Sequence, residues 1–137
     1  MARLPAEIRP AMQGAVPSIL VTCSPDGVPN VTIISQVFWV NEERVALSFQ
    51  FFSKTIKNVR ENPRATVWLA SPIDLTAWVI GIRYLHSETD GPTFDQMDMQ
   101  LEAIASMSGM SDIFKLKAAD IYAVESVQKI DAGGPMP

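Results

Sequence analysis

A single cysteine, Cys23, and a single histidine, His86, remove whole classes of chemistry from this chain of 137 residues. Cys23 has no second thiol, so neither an intrachain disulfide nor a thiolate metal cluster is available. His86 alone cannot build a histidine metal cluster, and it leaves no second imidazole for haem ligation or a nucleophile–base triad. Basic residues are scarce as well: 11 Lys and Arg face 15 Asp and Glu, and the net charge of −4 is the opposite of a nucleic-acid binder's footprint. Long hydrophobic runs are missing, since none approaches the roughly 18 apolar residues of a membrane span. Met1–Gly14, with charges at Arg3, Glu7 and Arg9 and prolines at positions 5 and 10, lacks the apolar stretch of a signal peptide. These absences predict a soluble, cytoplasmic protein with no nucleic-acid or membrane partner and no metal site.

What remains is apolar: 47% of the residues are hydrophobic and only 19% charged, enough for one buried core. We expect a single domain over residues 1–131, with residues 132–137, Gly- and Pro-rich, as a linker-like tail. A short helix is expected over Pro5–Met12, cut short by Pro10. From Ser18 the texture becomes β. Ser18–Ser24 reads as a strand and Pro25-Asp26-Gly27 as a turn. Asn30–Val40 reads as one long return strand with neither face made for bulk water, and Arg44–Phe51 as a third. Ser53–Glu61 changes to helical spacing and ends at Asn62-Pro63. Arg64–Ser71, Leu75 to about Thr89 and Ala119–Ile130 complete six strands. Before the last strand, Thr93 and Gln96 form a capping-box pattern, and Met97, Leu101 and Ile104 stripe a helix over about residues 94–107.

Six strands with little room between them for crossover helices argue against a parallel sheet and for a mainly β fold, a six-stranded antiparallel split barrel with short helices. Closure removes the edges that such apolar strands would otherwise expose, and apolar outward faces predict a dimer.

Chemistry concentrates at Ser53-Lys54-Thr55, where the third strand gives way to a helix. The first N–H groups of a helix lack intrahelical partners and carry the positive end of its dipole, so amides, two hydroxyls and one ammonium can hold a phosphate together. From spacing alone the more ordinary reading of the same residues is a Ser53 N-cap with a solvated Lys54. The acids are scattered over turns and the helix surface, and no catalytic group stands out. Cys23, with no basic neighbour in sequence, reads as a buried small hydrophobe.

The run Phe51–Val67, FFSKTIKNVRENPRATV, resembles the flavin-binding signature of the pyridoxamine 5′-phosphate oxidase-like, FMN-binding split-barrel family, and is closest to its small FMN-binding members. Asp26-Gly27 with Pro29, and Thr89-Asp90-Gly91-Pro92 before the last helix, follow in the same order, so the resemblance covers about residues 14–130. It implies a homodimer with FMN at the subunit interface. Ser53, Lys54 and Thr55 would hold the phosphate. Thr32 stands where oxidase members place a phosphate-contacting Arg, and Thr55 where many relatives carry a second cation, so this corner is poorer in positive charge. Ile33, Ile34 and Ser35, then Ser48 and Phe49, match strand positions near the isoalloxazine ring, and Thr76 matches a polar ring contact. Read from their types alone, Ile33, Ile34 and Phe49 are equally ordinary barrel core. The implied function is electron transfer or flavin-dependent oxidoreduction on a small molecule; the competing one is a non-catalytic ligand-binding or sensory module.

Overall fold

The structure is a computed structural model that describes residues 2–13, 16–34, 37–49, 53–107 and 116–130. Its strands are β1 (Ser18–Cys23), β2 (Pro29–Ile34), β3 (Phe38–Asn41), β4 (Arg44–Phe49), β5 (Arg64–Ala70), β6 (Ala77–Glu88) and β7 (Ala118–Ile130), and its helices α1 (Arg9–Met12), α2 (Ser53–Glu61) and α3 (Pro92–Met107). The fold is mainly β, as expected, but with seven strands among the described residues. The expected return strand over Asn30–Val40 is two strands, β2 and β3. Both halves have β texture with no Gly or Pro between them, so composition alone does not mark the break.

That break shapes the molecule. All neighbours pair antiparallel in the order β2-β1-β5-β6-β7-β4-β3, which puts β2 and β3 at opposite edges of one sheet. Yet Ile34 ends β2 and Phe38 begins β3. Four residues reach at most about 14 Å, so the two edges must approach and the sheet must curl into a split barrel. The last residue of the expected domain, Asp131, and the expected linker-like tail, residues 132–137, lie outside the described residues.

The tight β1–β2 hairpin depends on Gly27, whose φ of +83° suits glycine; its N–H donates to the Ser24 carbonyl at 2.9 Å. A 3₁₀ turn at Ala6–Ile8 runs straight into α1, and Pro10 sits within the first turn of that helix, where its missing N–H costs nothing. Ile8, Ala11 and Met12 are buried, and the Val37 N–H donates to the Met12 carbonyl, so the N-terminal arm is packed into the barrel. Helix α3 starts at Pro92, earlier than a Thr93 cap would allow, because Gly91 with φ +97° turns the chain directly into it.

Alternation along β7 divides the interior. Tyr122 and Val124 join Leu20, Val45, Leu47, Val67 and Ile80 inside the barrel, while Ala119 and Ile121 face outward beneath Met97 of α3 together with Phe38 and Ala46. Helix α3 therefore covers the outside of β3, β4 and β7. Among the described residues the outer face of β2, β1 and β5 has no such cover: Val31 and Ile33 are 65% and 69% exposed, and their cross-strand partners Val21 and Ile19, with Trp68 beyond, are only half-buried.

Candidate functional site

Helix α2 is fixed to the barrel by its apolar side, Ile56 and Val59, and by a buried hydrogen bond in which Asn58 Nδ2 donates to Thr22 Oγ1 of β1 at 3.1 Å. This anchoring aims the start of the helix at β2. There Thr55, 7% exposed, accepts from Asn30 Nδ2 at 3.2 Å and lies 3.4 Å from Thr32 Oγ1, while Asn30 Nδ2 also reaches Thr32 Oγ1 at 3.2 Å. Two hydroxyls and a carboxamide thus converge beside the helix opening of Ser53 and Lys54. All three rotate readily between donating and accepting and carry no charge of their own. Together with the unpaired amides of a helix's first turn they suit a phosphate ester. The residues present therefore fit the phosphate end of FMN, through neutral donors in place of a cluster of cations. Asn30 was not singled out from the sequence; its signal was its position two residues before Thr32, on the same face of the strand.

The other residues matched to the cofactor divide. Ile34 is buried and, with Thr55, Ser48, Leu20 and Leu47, lines a small cavity that has room for about one water molecule. Ile33, next along the strand, points to the opposite, exposed face, so the two cannot meet a bound ring from the same side. Ser48 is half-buried on β4 and pairs in register with Ala119; Phe49 ends the same strand opposite Ala118. Ser35 lies outside the described residues. Thr76 is elsewhere: it precedes β6, whose Ala77 pairs with Ala70, whereas Thr32 lies on the rung of Leu20, Val67 and Ile80. Its N–H donates to Asp74 Oδ1 at 3.0 Å and its carbonyl accepts from Ser71, which closes the β5–β6 turn.

One acid departs from the expectation that carboxylates sit on turns and helix surfaces. Asp120, on the inward face of β7, is 5% exposed and lines the same cavity as Thr55 and Ser48. Ser87 Oγ of β6 donates to its Oδ1 at 2.6 Å, and Ser87 in turn shares a hydrogen bond with the Tyr84 hydroxyl. Burial pushes the Asp120 carboxyl up to about 6, against the opposing effects of the Ser87 hydrogen bond and the Arg60 guanidinium. Burial, with the negative fields of Asp120 and Tyr84 added, also pushes the Tyr122 phenol up. The missed signal was an acid set inside an otherwise apolar run, Ala118–Val124, that is buried on both faces.

His86 is exposed and lies 2.9 Å from Glu88. Cys23 is partly exposed, because it ends β1 just before the turn. Among the described residues no group of three or more His, Cys, Asp or Glu side chains could hold a metal ion, and no helix is long and apolar enough to cross a membrane. A larger cavity, about 220 Å³, opens between α1, β3 and α3, where Arg9 stacks over Trp39 at 4.7 Å.

The family described as pyridoxamine 5′-phosphate oxidase matches residues 4–125. No curated protein sequence matches the chain. Among solved structures, an FMN-binding protein from Syntrophomonas wolfei is similar at 13% identity and TM-score 0.74, over 91% of this chain and 86% of that one. An F420 reductase is similar at 12% identity and TM-score 0.62, over 91% and 98%. HutZ, the heme storage protein from Vibrio cholerae, is similar at 17% identity and TM-score 0.60, over 92% and 94%. At such identities the likeness speaks for the fold, and the three names attach different ligands to it.

Proposed function

The chain belongs to the pyridoxamine 5′-phosphate oxidase family, and from that premise we propose that it is a homodimeric FMN-binding flavoprotein, acting in electron transfer or as a flavin-dependent oxidoreductase on a small molecule. The observation that carries this reading is the convergence of Asn30, Thr32 and Thr55 on the opening turn of α2. Bound FMN supplies the one- and two-electron chemistry; the protein supplies binding and orientation.

In this reading the amides at the start of α2, with Ser53, Lys54, Thr55, Thr32 and Asn30, take the phosphate. Ile34 and Ser48, on the strands flanking that corner, exclude water from the inner end of the site. The uncovered apolar face of β2, β1 and β5 is the surface a second copy buries, since patches of this kind mark interfaces on soluble proteins. Ile33 then contributes to the partner contact or to the ring from that outer side, and Ser35, Phe49 and Thr76 are secondary candidates for ring contacts.

The absorbance spectrum of the purified protein tests this directly. We expect flavin bands near stoichiometric occupancy, or FMN uptake on titration at micromolar concentration. Lys54→Glu, which sets like charge against the phosphate, should weaken FMN binding by at least tenfold while the melting temperature holds. A colourless, monomeric protein that takes up no FMN would overturn the reading.

A further inference from the structure

Asp120 is placed where an anion site would least tolerate a negative charge. Its carboxyl borders the cavity shared by Thr55 and Ser48, behind the turn that offers its amides to a phosphate. Among the described side chains, the titratable groups facing it are Arg60 from α2, Tyr84 from β6 and Tyr122 from β7; β1, β2 and β4 present Leu20, Ile34, Leu47 and Ser48, which carry no charge. His86 and Glu88 of β6 pair with each other instead. One carboxyl oxygen is engaged by the Ser87 hydroxyl at 2.6 Å.

We propose that Asp120 is a positioning acid of this site, which takes up a proton from solvent when a phosphate monoester binds, so that ligand binding and protonation of Asp120 are coupled. The inference rests on the flavin reading above and adds to it a condition on the charge of the site. A phosphate monoester near pH 7 carries about −1.5 to −2. With Thr at positions 32 and 55, the corner offers little cationic charge to offset this. Removing a negative charge has the same electrostatic effect as adding a positive one, and a carboxyl that is already buried is the group most readily neutralised. Its value of about 6 makes that protonation accessible near neutral pH. The balance is simple: one proton leaves buffer and bonds to a carboxylate oxygen of Asp120, and Ser87 remains a donor to the other.

Calorimetric titration of the full chain with FMN, at pH 7.5 in Tris and in HEPES, reads proton uptake from the difference in apparent enthalpy. The native chain should take up a larger fraction of a proton than Asp120→Asn, and riboflavin, which lacks the phosphate, should show no such difference. Between pH 5.5 and pH 8 the native affinity should fall relative to that of Asp120→Asn by roughly tenfold per unit of pKa displacement on binding. Ser87→Ala, which removes the donor that favours the ionised carboxylate, should move the midpoint of uptake to higher pH, and it carries the test if Asp120→Asn fails to fold. Equal uptake and equal pH dependence in native and variant proteins that both bind FMN would overturn the coupling alone. A native chain that binds no FMN at any pH would overturn the flavin reading and the coupling with it.

Discussion

Two aspartates of this chain sit beside threonines, and their surroundings drive them in opposite directions. Asp74, in the β5–β6 turn, is exposed, and the Thr76 N–H and then the Thr76 hydroxyl hold its carboxyl below the usual carboxylate range. Asp120, inside the barrel behind α2, is buried, and the loss of water pushes its carboxyl up to about 6 despite the Ser87 hydrogen bond. Both corners carry residues matched to the cofactor, Thr76 in one, Thr32 and Thr55 in the other. In the turn, the Thr76 donors are consumed by the Asp74 carboxylate. At α2, among the described residues, the polar groups hydrogen-bond one another, in bonds of 3.2 to 3.4 Å that a better acceptor can displace. Residue type does not separate the two corners; what separates them is whether a carboxylate of the same turn has already used the hydrogen bonds.

The largest test of that contrast is the pH dependence of stability. A folded-state value near 6, above the unfolded 3.8, means that the native chain binds a proton more readily than the unfolded one. The contribution of Asp120 to stability is therefore greatest below about pH 4, falls as pH rises through the window from 4 to 6, and is lower by about 3 kcal/mol above it. Asp120→Asn keeps an acceptor for Ser87 and removes the titration. In urea unfolding at pH 8 it should exceed the native chain by about that amount, with the gap closing toward pH 4. Asp74 has the opposite slope: its lowered value contributes stability above the unfolded 3.8 that is lost as pH falls. If Asp120→Asn and the native chain kept the same difference at pH 4 and pH 8, the two corners would not differ as described.

A smaller effect is expected from the anchor of α2. Asn58→Ala leaves the Thr22 hydroxyl buried without its partner and opens a small void, at a cost of about 2 kcal/mol. Thermal melting reads the loss. Because the same bond aims the helix opening at β2, FMN affinity should fall further in this variant than in one of equal stability altered elsewhere in the barrel.

The architecture was legible because alternation and turn chemistry are local. Asp26-Gly27, the helical spacing after Ser53 and the β texture of Arg64–Ser71 each speak through neighbours within a few residues. The division of Asn30–Val40 into β2 and β3 was not, since it follows from sheet closure, a long-range constraint that leaves no mark in composition. The α2 corner was half legible. Ser53, Lys54 and Thr55 announce a helix start, and Thr32 came through family likeness. Asn30 and Asp120 become part of the corner only once β2 and β7 are folded against the helix, from 25 residues before Thr55 in the first case. Thr76 shows the reverse failure. A position matched along the sequence has its hydrogen bonds in a turn remote, within one chain, from the other matched residues, and only contact across two copies would reunite them.

That possibility bears on the smallest prediction. Leu75, beside Thr76, has φ +61° and is 69% exposed, a left-handed backbone that an L side chain adopts at a cost of about 1 kcal/mol. Leu75→Gly relieves the strain but adds unfolded-state entropy worth about 0.5 to 1 kcal/mol, so in an isolated chain the melting temperature should rise slightly or stay level. With Ile73 also exposed, the turn presents two large apolar side chains that no described residue covers. If a second copy covers them, Leu75→Gly should lower the melting temperature at high protein concentration and leave it unchanged on dilution. A concentration-dependent loss would bring the β5–β6 turn, and Thr76 with it, to the subunit interface. A concentration-independent gain would leave Thr76 as a turn residue and concentrate the cofactor site at α2.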